Sequence, residues 1–344
     1  MNRIPIRNLY YLLCYAWDVL QESDLLDLED EDIDAGRDLL ARILEAGTSY
    51  LLRRGLDRSY VLVEEDTRSP KGKPNISVTA KRSLLVQGRV NCQYDEFSQD
   101  VLQNRLLKTT IGKVIRCREI DEDIRKRLVR VYRRLGGIKE VEVSSKLFDS
   151  IVYHRNNRFY RFALNVCRLI HEESLVGEDK GASRFRDFVR DEHAMRRLFE
   201  KFVFNFFRRE QSEFTVSSER MRWEGVSGAS EDVALLPHMR TDISLESPTR
   251  KIVIDTKFYS QTLQEYRGKT SVRSANLYQI YSYLQNLGYR SGQNQTLEGV
   301  LLYPTVSESL SLDYEIQGHR LRIVTLGLED DWREIRGQLL QLIT

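Results

Sequence analysis

Two kinds of hydrophobic pattern divide this chain of 344 residues into predicted helices and strands. Apolar side chains that recur every three or four residues predict amphipathic helices, whereas short alternating or continuous apolar runs predict strands. In the first part of the chain, the predicted helices cover 8–21, 35–55, 99–117, 121–135 and 160–173. The predicted strands there cover 60–64, 76–79 and 84–89. These segments predict an α/β arrangement.

The second part of the chain has a different order of elements. They are a helix at 191–210, then strands that include 241–246 and 251–258, a second helix at 273–287, two more strands at 299–303 and 321–326, and a terminal helix from Trp332. Their order, α-β-β-β-α-β, predicts a central mixed sheet flanked by helices. A polar stretch with two glycines at 175–181 predicts the junction between two domains. We therefore expect a mixed α+β fold with an N-terminal domain over 1–183 and a second domain over 184–344.

Composition narrows the class of protein. Charged residues make up 30% of the chain and hydrophobic residues 41%, which excludes a disordered or a fibrous chain. The apolar run at 9–17 is too short to span a bilayer and is followed by no small-residue cleavage site, so we expect a cytoplasmic protein without membrane contact. The four cysteines and five histidines show no spacing typical of a zinc site or a disulfide framework.

A predicted hairpin carries the strongest chemical signal. If its turn centres on Pro248 and Thr249, Asp242 lies directly opposite Asp255, and Lys257 joins the same face of the sheet. Two opposed carboxylates destabilise a sheet unless a cation neutralises them, and carboxylate oxygens suit Mg²⁺. With an adjacent lysine, this arrangement predicts phosphodiester hydrolysis. The alternative interpretation is a set of solvated charges on an edge strand.

The two helices that flank the hairpin offer further polar residues. Glu200 lies at the margin of an apolar helical stripe, from which its carboxylate can reach the metal. On the second helix, Asn276, Gln279 and Tyr283 share a face, where they can bind a phosphate or orient Lys257. The alternative interpretation is that these four residues lie on ordinary solvent-exposed helix faces without a function.

A basic segment and a loop have no assigned role at this point. Residues 105–134 contain eleven Lys or Arg against four acids, which is compatible with DNA contact, with docking to a partner or with a solvated surface. The stretch 67–74 reads as an exposed loop that can reach a partner. The chain contains no G-x-x-x-x-G-K-[ST] motif, so a nucleotide-driven motor would have to be another chain.

Several of these segments together resemble the PD-(D/E)xK nuclease core. They are the helix at 198–207 with Glu200, the segment 235–243, the Asp255-x-Lys257 strand, and the helix with Gln279 and Tyr283. Thr241 stands immediately before Asp242, where the motif has proline. The chain also resembles the McrC family, the nuclease subunits of McrBC methylation-dependent restriction systems, in segments 4–17, 102–108 and 276–279.

The McrC resemblance implies a set of functional residues. It implies that Asp242, Asp255 and Lys257 are catalytic and that Glu200 is a fourth member. We expect Mg²⁺ to be bound by Asp242, Asp255, Glu200 and Thr256, with Gln279, Tyr283 and Asn276 as supporting residues.

The resemblance also implies partners. Proteins of this family cut double-stranded DNA together with an AAA+ GTPase ring that recognises modified cytosine, and their N-terminal part docks on the ring and stimulates its GTP hydrolysis. Two alternatives remain open: a non-cleaving activator or assembly subunit of such a ring, and a stand-alone repair or recombination nuclease with the same core.

Overall fold

The computed structural model describes residues 4–18, 33, 35–153, 157–175, 184–185, 187–259, 263–266, 269–291, 295–305 and 309–344. The chain divides into two compact units. The sheet unit comprises Met1–Gly36 and Asp187–Thr344, and the helical unit comprises Arg37–Arg186.

Eleven helices and fifteen strands are assigned within the described residues. The helices are α1 Ile6–Ala16, α2 Gly36–Arg54, α3 Ile76–Lys81, α4 Leu102–Arg116, α5 Glu122–Arg134, α6 Ser145–Asp149, α7 Arg158–Glu172, α8 Glu192–Glu210, α9 Ser230–Ala234, α10 Ser274–Ser291 and α11 Trp332–Gln341. The strands are β1 Ser59–Thr67, β2 Lys73–Pro74, β3 Val90–Ser98, β4 Ser174–Leu175, β5 Arg184–Phe185, β6 Thr215–Ser217, β7 Arg220–Met221, β8 Met239–Arg240, β9 Ile243–Glu246, β10 Arg250–Thr256, β11 Gln264–Tyr266, β12 Lys269–Ser271, β13 Thr296–Pro304, β14 Ser311–Ile316 and β15 His319–Leu326.

A six-stranded mixed sheet forms the core of the sheet unit, in the order β14-β15-β13-β10-β9-β6. Strands β10, β13 and β15 run parallel at its centre, while β14, β9 and β6 pair antiparallel towards the edges. The central strands are apolar along almost their whole length because both faces are covered. Helix α10 follows β10 and packs on β13 as the crossover that parallel strands require. The predicted mixed sheet flanked by helices is confirmed.

Helix α1 belongs to the sheet unit, so the predicted domain 1–183 is wrong for its first 36 residues. The aromatic residues of α1 pack on α8, where the Tyr15 ring lies 5.8 Å from that of Phe202. Asn205 on α8 donates to the carbonyl oxygens of the last turn of α1, and Asn8 donates to those of Leu328 and Asp330. The hydrophobic pattern showed that α1 buries a face but not against which element. The second boundary, predicted at 183/184, is found at Arg186/Asp187, and most of the predicted junction 175–181 lies outside the described residues.

The helical unit combines a three-stranded antiparallel sheet, β1-β3-β2, with α4 packed between α5 and α7. The strands predicted at 76–79 and 84–89 are wrong, because these residues form α3 and a 3₁₀ turn at Leu84–Gln87. Asn75 explains the first error: its side chain accepts a hydrogen bond from the Val78 backbone N–H and so caps a helix. The predicted loop 67–74 is bounded by the ends of β1 and β2.

The remaining predicted helices are confirmed within four residues at each end, as α2, α4, α5, α7, α8 and α10. The first helix ends at Ala16, earlier than predicted, and 19–21 lie outside the described residues. Among the helices that the structure describes, none combines the length and apolar character needed to cross a membrane.

Candidate functional site

The β9–β10 hairpin has the predicted register. Ile254 pairs with Ile243 at the end of the ladder, which leaves Asp242 and Asp255 at the next opposed positions. The Asp242 carboxylate is fixed against β10, because its Oδ2 accepts hydrogen bonds from the backbone N–H of Thr256 at 2.9 Å and from its hydroxyl at 3.0 Å. The strand pairing therefore brings the two aspartates together.

Asp255 is a buried carboxylate whose oxygens have no hydrogen-bond donor within the described residues. Its exposed fraction is 0%, and both Oδ1 and Oδ2 lack a hydrogen bond. Oδ2 lies 2.7 Å from Lys257 Nζ, with which it forms an ion pair. Burial raises the pKa of Asp255 to about 6; the Lys257 charge opposes this effect and the Asp242 charge adds to it. Folding thus creates a buried carboxylate for which the Lys257 charge does not fully offset the cost of ionisation.

A chain of hydrogen bonds holds Lys257 in place. The buried Nζ donates to Gln279 Oε1 at 2.9 Å, and Gln279 Nε2 donates to Tyr283 Oη at 2.7 Å. Tyr283 in turn donates to the carbonyl oxygen of Arg240, two residues before Asp242. Gln279 and Tyr283 meet because they lie one turn apart on α10. The structure therefore brings these two predicted supporting residues to Lys257.

Asn276 takes a different position from the other two supporting residues. Its side-chain nitrogen donates to Tyr303 Oη at 2.9 Å, and its Oδ1 accepts from Tyr259 at 3.4 Å. Burial raises the pKa of Tyr303 to about 12, and the Asp255 charge contributes to the same shift. Asn276 therefore supports a tyrosine near the carboxylates and is not part of the chain of hydrogen bonds that reaches Lys257.

Glu200 lies near Asp242 but does not complete a preformed metal cluster with the two aspartates. Burial raises its pKa, and the charge of Asp242 contributes to the shift, while Arg240 and Arg196 oppose it. Within the part of the chain that the structure describes, no three His, Cys, Asp or Glu side chains converge closely enough to hold a metal ion. Glu200 as a ligand, and Thr256 beyond its contact with Asp242, stay predictions.

Two arginines near the carboxylates were missed from the sequence. Arg196 lies one helical turn before Glu200 on α8, and its charge lowers the pKa of both Glu200 and Asp255. Arg240 precedes Asp242 by two residues and donates from Nε to Ser218 Oγ at 3.2 Å. Both side chains are exposed. The i to i+4 spacing of Arg196 and Glu200 was the available signal.

The donor set fits a divalent cation. Two buried or hydrogen-bonded carboxylates face each other at adjacent strand positions, and two oxygens of Asp255 lack donors. Mg²⁺ is bound in proteins through one or two carboxylates, while waters and substrate phosphates complete its coordination. Two aspartates are compatible with a site of this kind.

Comparison with known proteins agrees with the McrC resemblance. Residues 6–304 match the family model of the McrBC 5-methylcytosine restriction system component. The chain is 32% identical over 339 residues to the type IV methyl-directed restriction enzyme EcoKMcrBC of Escherichia coli strain K12, covering 98% of this chain and 97% of that protein. A solved chain from the half-complex of a tetradecameric assembly of Thermococcus gammatolerans McrB AAA+ hexamers with bound McrC shares the fold, with a TM-score of 0.59 and 15% identity over 99% of this chain and 76% of that one. The chain belongs to the family of McrBC 5-methylcytosine restriction system components.

Proposed function

We propose that this chain is the DNA-cleaving component of an McrBC-type restriction complex, which hydrolyses phosphodiester bonds of double-stranded DNA with Mg²⁺ and stimulates GTP hydrolysis by an AAA+ partner. The observation that carries the proposal is Asp255: a fully buried carboxylate without hydrogen-bond donors, opposed to Asp242 and ion-paired with Lys257. A structural role alone would not require two carboxylates in this position, since like charges directly opposite each other destabilise a sheet.

In this function Asp242 and Asp255 hold the metal, and Thr256 keeps the Asp242 carboxylate in place through its backbone N–H and hydroxyl. The bound metal supplies positive charge that polarises a phosphoryl oxygen and stabilises the charge that develops on the leaving oxygen. Family membership supports this assignment, because a type IV restriction enzyme is a relative over nearly the whole chain.

Lys257 is the second participant. Its ammonium group has three N–H donors; one goes to Gln279, and the charge pairs with Asp255. An N–H that remains is directed at a phosphate oxygen or at the attacking water. Arg196 and Arg240, exposed beside the carboxylates, contact the phosphates that flank the scissile bond.

The partner is an AAA+ GTPase ring. A structural relative was solved as McrC bound to McrB AAA+ hexamers, and this chain contains no phosphate-binding loop of its own. The N-terminal part of the chain docks on that ring, and the ring recognises the modified base. This division assigns DNA cleavage to the sheet unit and stimulation of GTP hydrolysis to the helical unit.

The test is cleavage of a 5-methylcytosine-containing duplex by the reconstituted complex, with GTP and Mg²⁺. Asp255→Ala is expected to lower the cleavage rate at least about 1,000-fold, because it removes charge stabilisation at the metal, yet to leave the partner's GTP hydrolysis stimulated. Asp313→Ala, at an exposed aspartate on β14 of the same sheet, serves as the matched control and is expected to cleave normally.

Three other outcomes would reject the site or support one of the two alternatives. Cleavage retained by Asp255→Ala would reject the site. Wild-type protein that stimulates GTP hydrolysis without cleaving any duplex would support the activator alternative. Robust cleavage by the isolated chain without nucleotide would support a stand-alone nuclease.

A further inference from the structure

Helix α5 of the helical unit carries a concentrated basic surface. Five cationic side chains between residues 126 and 134 are exposed, and we refer to them as the basic face of α5: Lys126, Arg127, Arg130, Arg133 and Arg134. At 100° per residue these positions fall within an arc of about 120°. The buried residues Ile124, Leu128 and Val131 lie on the opposite side of the helix. The hydrophobic core thus fixes the orientation of the basic face towards solvent.

The acidic residues that interrupt the basic segment in the sequence are placed apart from most of this face. Asp121 is the N-cap of α5 and accepts from the backbone N–H groups of Asp123 and Ile124. Glu122 and Asp123 occupy the first turn, where negative charge is favourable for the helix dipole. Asp123 pairs with Lys126, but Arg130, Arg133 and Arg134 make no ion pair with the described residues. The acids therefore have a structural role at the start of the helix, and Arg130, Arg133 and Arg134 keep their positive charge.

Arg125 shows by contrast what a structural arginine of α5 does. It is partly buried, pairs with Glu122 and donates to the carbonyl oxygens of Cys117, Arg118 and Ile120. It therefore closes the α4–α5 turn. The three arginines at 130, 133 and 134 have no such function in the fold.

We propose that the basic face of α5 is a binding surface for the phosphate backbone of duplex DNA. The face is about 12 Å long, at 1.5 Å per residue, which matches the rise of about three to four phosphates on one strand. Arginines at helical spacing bind phosphates well because their planar groups donate two parallel hydrogen bonds.

The composition of the face favours DNA over an acidic protein. A stable protein interface needs apolar or aromatic side chains at its centre. No residue of α5 is a large, exposed apolar one; in the helical unit those are Tyr60, Leu62, Ile76, Leu85, Val86, Phe97 and Val152. A face of charge without an apolar centre binds backbone phosphates regardless of sequence. The proposal rests on the proposed function only in taking duplex DNA as the substrate.

The experiment measures binding of the full-length protein to an unmodified fluorescent duplex by anisotropy, in EDTA, over a series of salt concentrations. Arg130→Gln/Arg133→Gln/Arg134→Gln is expected to weaken binding more than tenfold at about 0.1 M salt and to make the slope of log K against log salt shallower by about three. The matched control, Arg53→Gln/Lys81→Gln/Arg89→Gln, removes the same charge from exposed positions elsewhere in the helical unit and is expected to change the slope little. The triple Arg→Lys variant keeps the charge and is expected to retain the wild-type slope.

Four results would overturn the proposal. The first is that the wild type does not bind the duplex, and the second is that the control variant loses as much duplex affinity as the triple Gln variant. The third is that the triple Lys variant loses as much affinity as the triple Gln variant. The fourth is that the triple Gln variant binds DNA normally but no longer stimulates the AAA+ partner. The last result would assign the face to an acidic protein surface. The binding measurements are independent of whether Asp255 is catalytic, because EDTA prevents cleavage. The fourth result adds a separate GTP-hydrolysis assay with Mg²⁺, which does not require DNA cleavage.

Discussion

Two charged regions of this chain differ mainly in burial: the site of Asp242, Asp255 and Lys257 on the β9–β10 hairpin, and the basic face of α5. Asp255 and Lys257 are buried, and their positions follow from strand register and from the hydrogen bonds of Gln279. The basic face of α5 is exposed to water, and its position follows from helical periodicity alone. Burial makes the first set specific and costly, while exposure makes the second adaptable and individually weak.

This difference has a thermodynamic consequence. Groups in one hydrogen-bonded network act as a unit, so single substitutions there have large and non-additive effects. Separate exposed charges act independently, and their contributions to phosphate binding add up and fall with salt. The predictions below are ordered from the largest expected effect to the smallest.

Among the variants that follow, removal of the buried lysine should have the largest effect. Lys257→Ala is expected to lower the cleavage rate at least about 100-fold in the reconstituted complex, because the donor beside the phosphate is lost. Gln279→Leu alone should lower the cleavage rate less than Lys257→Ala does. The double variant should be no slower than Lys257→Ala, since Gln279 acts through Lys257. Single-turnover cleavage measures all three. Multiplicative losses in the double variant would show that the two residues act separately.

Tyr283 lies further from the reacting atoms and should have a smaller effect. Tyr283→Phe removes the hydroxyl that joins Gln279 to the carbonyl of Arg240 while it preserves the ring. A loss of about tenfold in kcat with an unchanged KM for DNA is expected, because the substitution loosens Lys257 without touching the substrate. Tyr314→Phe, at a half-exposed tyrosine on β14, is the matched control. An altered KM with normal kcat would mean that Tyr283 contacts DNA.

The cost of burying Asp255 should be visible in the stability of the metal-free protein. Its pKa is raised by burial to about 6, above its value in the unfolded chain, so the folded state favours the protonated form. The contribution of Asp255 to stability is therefore expected to be greatest below about pH 4 and to fall as the pH rises through about 6. At pH 7 in EDTA, Asp255→Asn should increase the free energy of unfolding by on the order of 2 kcal/mol. Chemical denaturation of both proteins at pH 4 and pH 7 measures this; an equal or lower stability of the variant at pH 7 would contradict it.

Single substitutions on the basic face should have the smallest effects. Arg130→Gln and Arg133→Gln are each expected to make the salt slope of duplex binding shallower by about one, and their effects should add. Anisotropy titrations of the two single variants and the double variant test additivity. A double variant no weaker than either single one would show a coupled site, as in the hairpin, and would remove the distinction between the two regions.

The sequence was sufficient for the parts of this fold that depend on local pattern. The register of the hairpin followed from its turn, and α8 and α10 followed from their apolar stripes. Local pattern was insufficient where a partner element decides the structure. The place of α1 depends on α8, almost 200 residues away. The edge strand β14 was missed although residues 311–316 alternate polar and apolar side chains.

The candidate site shows the same limit. Asp242, Asp255 and Lys257 could be grouped from the register because strand pairing fixes which residues oppose each other. The contact of Tyr283 with the Arg240 carbonyl, and the approach of Arg196 to the carboxylates, depend on how α10 and α8 pack on the sheet. The i to i+4 spacing of Arg196 and Glu200 showed that they share a helix face, but no spacing encodes how that face packs on the sheet, so Arg196 and Arg240 were missed.

The most direct test of the central claim, that Asp242 and Asp255 hold a divalent cation, is a Mg²⁺ titration of thermal stability at pH 7 without DNA or partner. The melting temperature of the wild type should rise with Mg²⁺ concentration, because an ion that binds only the folded state stabilises it and offsets the buried charge of Asp255. The melting temperature of Asp255→Asn should not respond, and that of Asp313→Asn should respond as the wild type does. Equal responses of the wild type and Asp255→Asn, or no response of the wild type, would contradict the account.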